Sequence, residues 1–429
     1  MPRRMPPRVV MLVNKTVATD ARVRRSARTL SAAGLEVIVL GIAKDETAPR
    51  RAWLGFDLRL VPVQDRPSSR ARRIRQQSSE PLDLELFDRT WWPVVRELKP
   101  DVVHVHDSHG LLVARRAAER GARWIWDTHE HPVEQPLKGA DRHEPDKAAL
   151  AEAVRRQLAD YVTRADAVIT VSAPIADELT RIFDLGSPPA VVHNTPSLTG
   201  EAAGPEPGLR RQAGVAPGAP LVVYAGDAGR RRNLQVVVAA LEHLPAVHFV
   251  LVVTPRGKPL RQALELAERL GVASRIHVVP KVPPEQLVSF IGEADVAVNP
   301  LGRYPDYEVT LPNKIFEYLH AGLPQVVSDC TAMAAVVNRY GLGEVVPHDD
   351  PQAWAAAIGR ALETPSFRDR PDEWEALKRE WSWERQAAVL LGVYEDLLGA
   401  PLPRADSAAD QADSAADQTG ESSAAAARS

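Results

Sequence analysis

Residues 9–42, VVMLVNKTVATDARVRRSARTLSAAGLEVIVLGI, contain the pattern that decides the fold class. Two β-branched runs, VVMLV and EVIVLGI, flank a segment of helical period. Val23, Ala27 and Leu30 fall on one face of that segment, and Gly34 ends it. A buried strand, a helix and a second buried strand in this order predict a right-handed crossover in a parallel sheet.

The same alternation continues along the chain in two blocks. The first block contains the strand-like runs LRLVPV, DVVHVH, RWIWDT and DAVITVS, and the second contains PLVVYAG, HFVLVVT, RIHVVPKV, DVAVNPL, LPQVVSD and GEVVP. Between the blocks, SLTGEAAGPEPG is rich in Gly, Pro, Ala and Glu and has no periodic apolar face, which is typical of a linker. The sequence therefore predicts an α/β protein with two Rossmann-like doubly wound domains that face a cleft.

Five segments follow from this division. We place the first domain at residues 1–197, the linker at 198–208, the second domain at 209–380, a last helix at 381–399 and a tail at 404–429. The tail repeats ADSAADQ twice, and a repeat so short and polar cannot bury a core, so we expect it to be disordered.

Composition limits the partners and the compartment. The chain has 429 residues and a formal net charge of −3, which argues against nucleic acid as a partner. The single cysteine, Cys330, cannot form an internal disulfide and indicates a reducing compartment. The apolar run near the N-terminus is too short for a signal peptide, and none approaches the ~18 residues that cross a bilayer. We therefore expect a cytoplasmic protein.

The segment LPNKIFEYLHAGLPQVVSD begins a helix near Asn313. The free N–H groups from Leu311 to Asn313 and the helix dipole favour an anion such as phosphate. Lys314 adds a donor there, and Glu317, one turn further, suits the hydroxyls of a ribose. The alternative is an N-cap asparagine with a surface Lys–Glu pair, and this stretch alone favours it.

A second candidate is YAGDAGRRRNLQ, which follows the first strand of the second block. Gly226 lies in the strand-to-helix turn, and Arg230, Arg231 and Arg232 follow it. Guanidinium groups bind diphosphate oxygens in bidentate fashion. A solvated basic turn is the alternative, since the stretch has neither GxGxxG nor a Walker A pattern.

The third candidate is WDTHEH, which follows a strand of the first block. His129 and Glu130 suit sugar hydroxyls or proton exchange. His129, His131 and His143 also raise the question of a metal site, but HEH is not H-E-x-x-H, so we predict no metal.

Several of these motifs occur together in one family. The ordered series DARVRRSARTLSAAGLEVIVL, DVVHVHD, WDTHEHP, ADAVITVS, LPNKIFEYLHAGLPQVVSD and SWERQ resembles the family-four glycosyltransferases of the GT-B type. The resemblance covers nearly everything from residue 9 to about residue 398. It implies transfer of a sugar from a nucleotide diphosphate, UDP or GDP, with retention at the anomeric carbon and without a cofactor or metal. It also implies a donor-binding second domain, an acceptor-binding first domain and a last helix that crosses back to the first domain.

The resemblance assigns roles to single residues. Arg232 matches the residue that contacts the diphosphate, Glu317 the one that holds the ribose, and His129 the one that approaches the donor sugar. The full set of site candidates is His129, Arg232, Lys314 and Glu308 as catalytic, Gly226, Arg231, Lys281, Val282, Leu311, Asn313 and Glu317 as donor-binding, and Asp20 and Glu130 on the acceptor side.

The chain departs from the family pattern at the sugar-facing carboxylate. Val309 stands where the family has the first glutamate of its pair, so Glu308 or Asp306 is the replacement to consider. Asp227 stands where a basic residue usually follows the glycine, and Arg230 or Arg231 would have to compensate.

The acceptor remains open between a glycan and a lipid-linked molecule. RPSSRARRIRQQ runs from Arg66 to Gln77 and suits peripheral contact with the inner face of an anionic membrane, although a solvated loop is the simpler interpretation. Two alternatives to a transferase are an epimerase or phosphorylase on the same fold, and a non-catalytic nucleotide- or carbohydrate-binding scaffold.

Overall fold

The computed structural model describes residues 6–15, 17, 20–43, 51–53, 55–63, 81–134, 144–198 and 208–402. The side chains of 51–53 and 144–146 are not part of this description. The predicted tail at 404–429, the basic stretch at 66–77, His143 and most of the predicted linker lie outside the described residues.

The first half of the chain builds one sheet with helices on both faces. Its described strands are β1 (Arg8–Leu12), β2 (Glu36–Ala43), β3 (Arg51–Trp53), β4 (Phe56–Pro62), β5 (Val102–His106), β6 (Arg123–Thr128), β7 (Ala167–Thr170) and β8 (Ala190–Val191). Their order is β3-β4-β2-β1-β5-β6-β7-β8, and every pair is parallel except β3 with β4. The helices are α1 (Ala21–Ala32), α2 (Leu84–Leu98), α3 (Leu111–Ala118), α4 (Glu144–Val162) and α5 (Ala173–Phe183).

The second half repeats this plan with a smaller, wholly parallel sheet. Its strands are β9 (Leu221–Ala225), β10 (His248–Val252), β11 (Ile276–Val279), β12 (Val296–Asn299), β13 (Gln325–Ser328) and β14 (Gly343–Val346), in the order β11-β10-β9-β12-β13-β14. Its helices are α6 (Leu209–Ala213), α7 (Leu234–Ala240), α8 (Lys258–Arg269), α9 (Pro284–Ile291), α10 (Pro305–Val309), α11 (Asn313–His320), α12 (Thr331–Arg339), α13 (Pro351–Glu363) and α14 (Pro371–Glu380). The predicted fold class, two parallel-sheet α/β domains, is confirmed.

The first crossover shows why the sequence specifies this fold. Val23, Ala27 and Leu30 are fully buried on one face of α1, as their spacing predicts. The Asp20 carboxylate caps the helix by accepting from the backbone N–H of Val23 at 3.1 Å. Gly34 ends the turn at φ +83°, where a side chain would be strained.

A last helix, α15 (Trp383–Leu398), returns to the first half. The indole N–H of Trp383 donates to the Thr29 hydroxyl on α1 at 2.9 Å, and Tyr394 is fully buried in the core between α1 and the first sheet. This confirms the predicted crossing of the last helix. None of the described helices combines the length and the apolar character that a bilayer crossing requires.

The two halves meet where the carboxyl ends of their strands face each other. Arg24 on α1 forms an ion pair with Glu285 on α9 at 3.0 Å. The Ser172 hydroxyl, at the start of α5, donates to the carbonyl of Val309 at 2.8 Å. The space between these contacts is the cleft in which the candidate residues lie.

Candidate active site

The turn after β9 and the start of α11 face each other closely. A Cβ placed on Gly226 would meet Cε and Nζ of Lys314 at 2.5 Å, so only glycine lets the lysine lie against the turn. Gly226 also has φ +152°, which a side chain rarely adopts. The Lys314 ammonium lies 5.4 Å from the centre of the Tyr224 ring. The structure thus brings together two places that are 88 residues apart in sequence.

Positive charge accumulates at this place. Burial, and after it the charge of Arg232, lowers the pKa of Lys314 to about 7, although Glu317 attracts the proton. The guanidinium of Arg232 lies 5.3 Å from the ring of Tyr307 and is near Tyr224. A half-buried lysine beside an arginine is stabilised by an added anion.

The start of α11 completes this wall of the cleft. Pro312 is the N-cap and supplies no side-chain hydrogen bond to the first turn. Leu311 is buried beneath the helix start, whereas Asn313 is exposed. Burial raises the pKa of Glu317, and the charges of Lys314 and of Arg25 from α1 oppose that rise. Glu317 is therefore a carboxylate between two cations, one from each half of the molecule.

Arg231 pairs with a carboxylate, although it contacts the ring of Tyr307 as Arg232 does. It forms an ion pair with the buried carboxylate of Asp306, and its guanidinium lies 4.0 Å from the ring centre of Tyr304 and 4.5 Å from that of Tyr307. This pairing attaches the turn to α10. Its predicted contact with a donor stays a prediction.

Glu308 is held by the start of α12. Its carboxylate accepts from the backbone N–H of Thr331 at 2.9 Å, from the Thr331 hydroxyl at 2.7 Å and from Arg303 Nε at 2.6 Å. The structure therefore gives Glu308 a capping position, and its predicted catalytic role stays a prediction. Lys281 and Val282 lie in the loop after β11, where Lys281 is exposed and its charge acts on Lys314.

His129 follows β6 on the opposite wall of the cleft. Its backbone N–H donates to Oδ1 of Asp107 at 3.1 Å. Its ring Nε2 lies 2.9 Å from Nδ1 of His106 and 3.6 Å from Oδ2 of Asp127. Asp107 itself has φ +58°, a left-handed conformation that aspartate tolerates better than most residues. Sequence reasoning missed Asp107, although the end of a parallel strand is where such a residue is expected.

The surroundings favour a proton on His129. Burial lowers the pKa of its imidazole, but the charges of Asp107 and Asp127 outweigh burial and raise it. Asp20 lies nearby. Burial opposes its ionisation, but His129 and Lys15 lower its pKa to about 2, and Lys15 Nζ is 3.2 Å from its carboxylate. Glu130 acts electrostatically on Arg232 in the other half. The predicted acceptor-side candidates Asp20 and Glu130 thus lie around His129, and Glu130 is near Arg232 of the second half.

Asp127 is the buried centre of this wall. Arg22 donates to it through Nε at 3.1 Å and through Nη2 at 2.7 Å, and both side chains are buried. His104 Nε2 and His106 Nδ1 each lie 3.4 Å from Asp127 Oδ2. Sequence reasoning missed Arg22 and Asp127, because nothing local distinguishes an arginine that points into the core from one that points to solvent.

His104, His106 and Asp127 lie close enough together to suggest a metal site. Ligand atoms of His104, His106 and Asp127 fall within 4.8 Å of one another. Both oxygens of Asp127 already bind Arg22, so a divalent cation would stand beside a buried guanidinium. We therefore treat them as hydrogen-bonding partners and not as metal ligands. The metal alternative considered from the sequence used other residues, of which His131 pairs with Glu178 at 3.2 Å.

Comparisons with known proteins agree with this architecture. The family description "Glycosyl transferase 4-like domain" matches residues 18–196, and "Glycosyl transferases group 1" matches residues 219–364. The chain is 29% identical over 314 residues to a D-inositol 3-phosphate glycosyltransferase of Xylanimonas cellulosilytica, which covers 68% of this chain and 71% of that protein.

Solved structures show the same fold. Sucrose-phosphate synthase of Thermosynechococcus elongatus superposes with a TM-score of 0.72 at 18% identity, over 91% of this chain and 99% of the other. Anabaena HepE in complex with UDP-glucose superposes with a TM-score of 0.63 at 16% identity, over 91% and 99% of the two chains. The two family matches span most of the chain, each on one of its two sheets. The chain belongs to the glycosyltransferases of the GT-B fold.

Proposed function

We propose that this glycosyltransferase takes its sugar from a nucleoside-diphosphate donor whose diphosphate lies between Gly226 and the N-terminus of α11. The observation that carries the proposal is the position of Lys314, against Gly226 and beside Arg232. Two cations and a helix N-terminus without a side-chain cap suit an anion with two phosphates. Glu317 then faces the ribose, and the loop with Lys281 and Val282 faces the base.

The proposed reaction exchanges one C–O bond for another. The bond between the anomeric carbon and the diphosphate breaks, the acceptor oxygen bonds to the same face of that carbon, and the acceptor proton passes to the departing phosphate oxygen. Arg232, Lys314 and the amides at the start of α11 stabilise the negative charge that develops on the diphosphate. The reaction therefore needs no metal.

His129 has a positioning part in this proposal. The carboxylates of Asp107 and Asp127 favour its protonated form, and a protonated imidazole cannot accept a proton. We propose that it donates a hydrogen bond to the donor sugar. Retention is consistent with this assignment, since the departing phosphate takes the acceptor proton.

The first ligands to test follow from the similar proteins. HepE binds UDP-glucose, so UDP precedes GDP in a thermal-shift series. A nucleotide at a hundred times its Kd adds about 2.7 kcal/mol to the free energy of unfolding, which such a series detects. Inositol 3-phosphate is the first acceptor to supply, beside lipid-linked glycans, and transfer to the latter would place the protein at the cytoplasmic face of a membrane.

The decisive variant is Arg232→Ala, with Arg230→Ala as its matched control in the same turn. Arg230 is exposed, whereas Arg232 is partly buried beside Tyr224. Loss of one transition-state donor costs about 3 kcal/mol, so kcat of Arg232→Ala falls roughly 100-fold while Arg230→Ala stays near the parent. Equal rates for both variants would contradict the diphosphate site. Consumption of donor with no acceptor present would favour the epimerase alternative.

A further inference from the structure

A continuous line of buried polar groups joins the last helix to His129. The Tyr394 hydroxyl on α15 lies 2.8 Å from Nδ1 of His104. Nε2 of the same imidazole lies 3.4 Å from Asp127 Oδ2, and that oxygen lies 3.6 Å from His129 Nε2. Tyr394, His104 and Asp127 are all buried, whereas His129 reaches the cleft. No step of the proposed transfer uses Tyr394 or His104.

The order of donors along this line follows from chemistry. An ionised Asp127 only accepts hydrogen bonds, so the His104 proton lies on Nε2. Nδ1 of His104 is then an acceptor, and the Tyr394 hydroxyl donates to it. Burial raises the pKa of Tyr394 well above its usual range and lowers that of His104, so the phenol keeps its proton and the imidazole stays neutral. The Tyr394 hydroxyl thus supports the tautomer of His104 that donates to Asp127.

We propose that Tyr394 is a positioning residue for His129, through which the docking of α15 on the first half determines how strongly the charge of Asp127 acts on the imidazole in the cleft. This inference rests on the proposed role of His129 at the donor sugar. A helix that follows the second half in the chain thereby acts on His129 in the first half, and the two halves share one site through the core as well as across the cleft.

Several charged or titratable groups face His129 and its neighbours in this region. They are Asp20 before α1, Arg22 on α1, His104 and His106 on β5, Asp107 after it, and Asp127 on β6. Without the Tyr394 hydroxyl, His104 donates less strongly to Asp127. More of the Asp127 charge is then available to His129, so the pKa of His129 rises.

The test follows the histidine ring signals by NMR between pH 5 and 9 in Tyr394→Phe. His129→Gln identifies the His129 signal among the 12 histidines. Thr29→Val is the matched control, because it removes another hydrogen bond between α15 and the first half, the one from Trp383. Asp107→Asn keeps the acceptor for the backbone N–H of His129 and removes only a charge. It should lower the pKa of His129, and it therefore shows how far the loss of one neighbouring charge moves that pKa.

We expect Tyr394→Phe to raise the pKa of His129 by about 0.3 to 1 unit, and Thr29→Val to leave it unchanged. The same displacement is expected in the pH profile of kcat. An unchanged or lower pKa in Tyr394→Phe, or an equal rise in Thr29→Val, would overturn the proposal. Stoichiometric zinc bound through His104 would also overturn it. If no donor is ever turned over, the proposed function fails, but the NMR result still decides whether Tyr394 acts on His129.

Discussion

Lys314 illustrates at the scale of one residue how burial and a neighbouring charge alter an ionisable side chain. Its pKa of about 7 lies far below the usual value because of burial and the charge of Arg232. A pKa lowered by folding means that this group destabilises the protein while it is protonated, so its contribution improves as the pH rises from 7 towards the ordinary lysine value. A diphosphate bound beside Lys314 would reverse this preference by favouring the charged ammonium.

Nucleotide binding should therefore take up a proton above pH 7. At pH 8 most of Lys314 is neutral in the free protein, and binding of UDP raises its pKa, so the uptake approaches about 0.9 proton. Calorimetry in Tris and in HEPES measures it, because the binding enthalpy then depends on the ionisation enthalpy of the buffer.

Lys314→Met is the control for this measurement. It removes the titrating group, keeps the apolar stem and should bring the proton uptake close to zero, with weaker binding. An uptake that persists in Lys314→Met would assign the proton to another group, such as His129, and the same buffer dependence in His129→Gln would exclude that explanation.

At the scale of elements, Glu308 connects α10 to α12. Cys330 is the N-cap of α12 and supplies no side-chain hydrogen bond, so the first turn receives its acceptor from Glu308 on the neighbouring helix. Burial opposes ionisation of this carboxyl, but the hydrogen bonds from Arg303 and Thr331 lower its pKa. The helix dipole favours the same charge.

Glu308→Gln and Thr331→Val separate a capping role from a catalytic one. Both weaken the contact at α12, and each should lower the free energy of unfolding by about 1 kcal/mol at neutral pH. Because the pKa of Glu308 is lowered, this contribution is present above the ordinary glutamate pKa and is lost as the pH falls through the lower folded value. Chemical denaturation at pH 7 and pH 4 measures it.

Turnover then decides what Glu308 does besides capping. If it only caps, both variants retain near-parent kcat. If it is the sugar-facing carboxylate, Glu308→Gln alone loses turnover, by far more than its stability explains. Near-parent stability of Glu308→Gln would contradict the capping role.

The elements also show what a sequence can and cannot predict. The long strands of both sheets were predictable because buried parallel strands are continuous β-branched runs, and α1 because Asp20 and Gly34 mark its ends. The short elements β3, β8 and α10 were not predicted, since three residues or fewer in a strand carry no period and α10 depends on the pairing of Asp306 with Arg231.

The candidate site divides in the same way. Gly226, Arg232 and Lys314 were predictable because each lies at a strand end or helix start, where parallel sheets bind ligands. Arg22, Asp127 and Tyr394 were not, because their partners are distant in sequence. Tyr394 and His104, for example, are 290 residues apart and meet only when α15 crosses back.

At the scale of the whole molecule, polar contacts join the two halves beside the cleft. One of these contacts is the pair of Arg24 and Glu285, and Glu285 lies at the start of α9, just after the loop with Lys281 and Val282. Because this contact lies near the proposed base site, we expect it to couple nucleotide binding to closure of the cleft. Burial opposes ionisation of Glu285, but Arg24 and the backbone lower its pKa, so the pair persists at neutral pH.

Glu285→Gln removes this charge with little change of shape and should shift the free protein towards open forms. We expect a larger radius of gyration in small-angle scattering without nucleotide, and recovery of the parent value on adding UDP. The KM for donor should rise about 3- to 10-fold with kcat largely kept, since closure then draws on binding energy.

Glu344→Gln is the matched control, because Glu344 pairs with Arg360 within the second half. Raising the salt concentration should bring the radius of gyration and the donor KM of the parent towards those of Glu285→Gln, because part of the Arg24–Glu285 pair is exposed. A salt-independent parent, or equal changes in Glu344→Gln, would show that the Arg24–Glu285 pair does not hold the halves together.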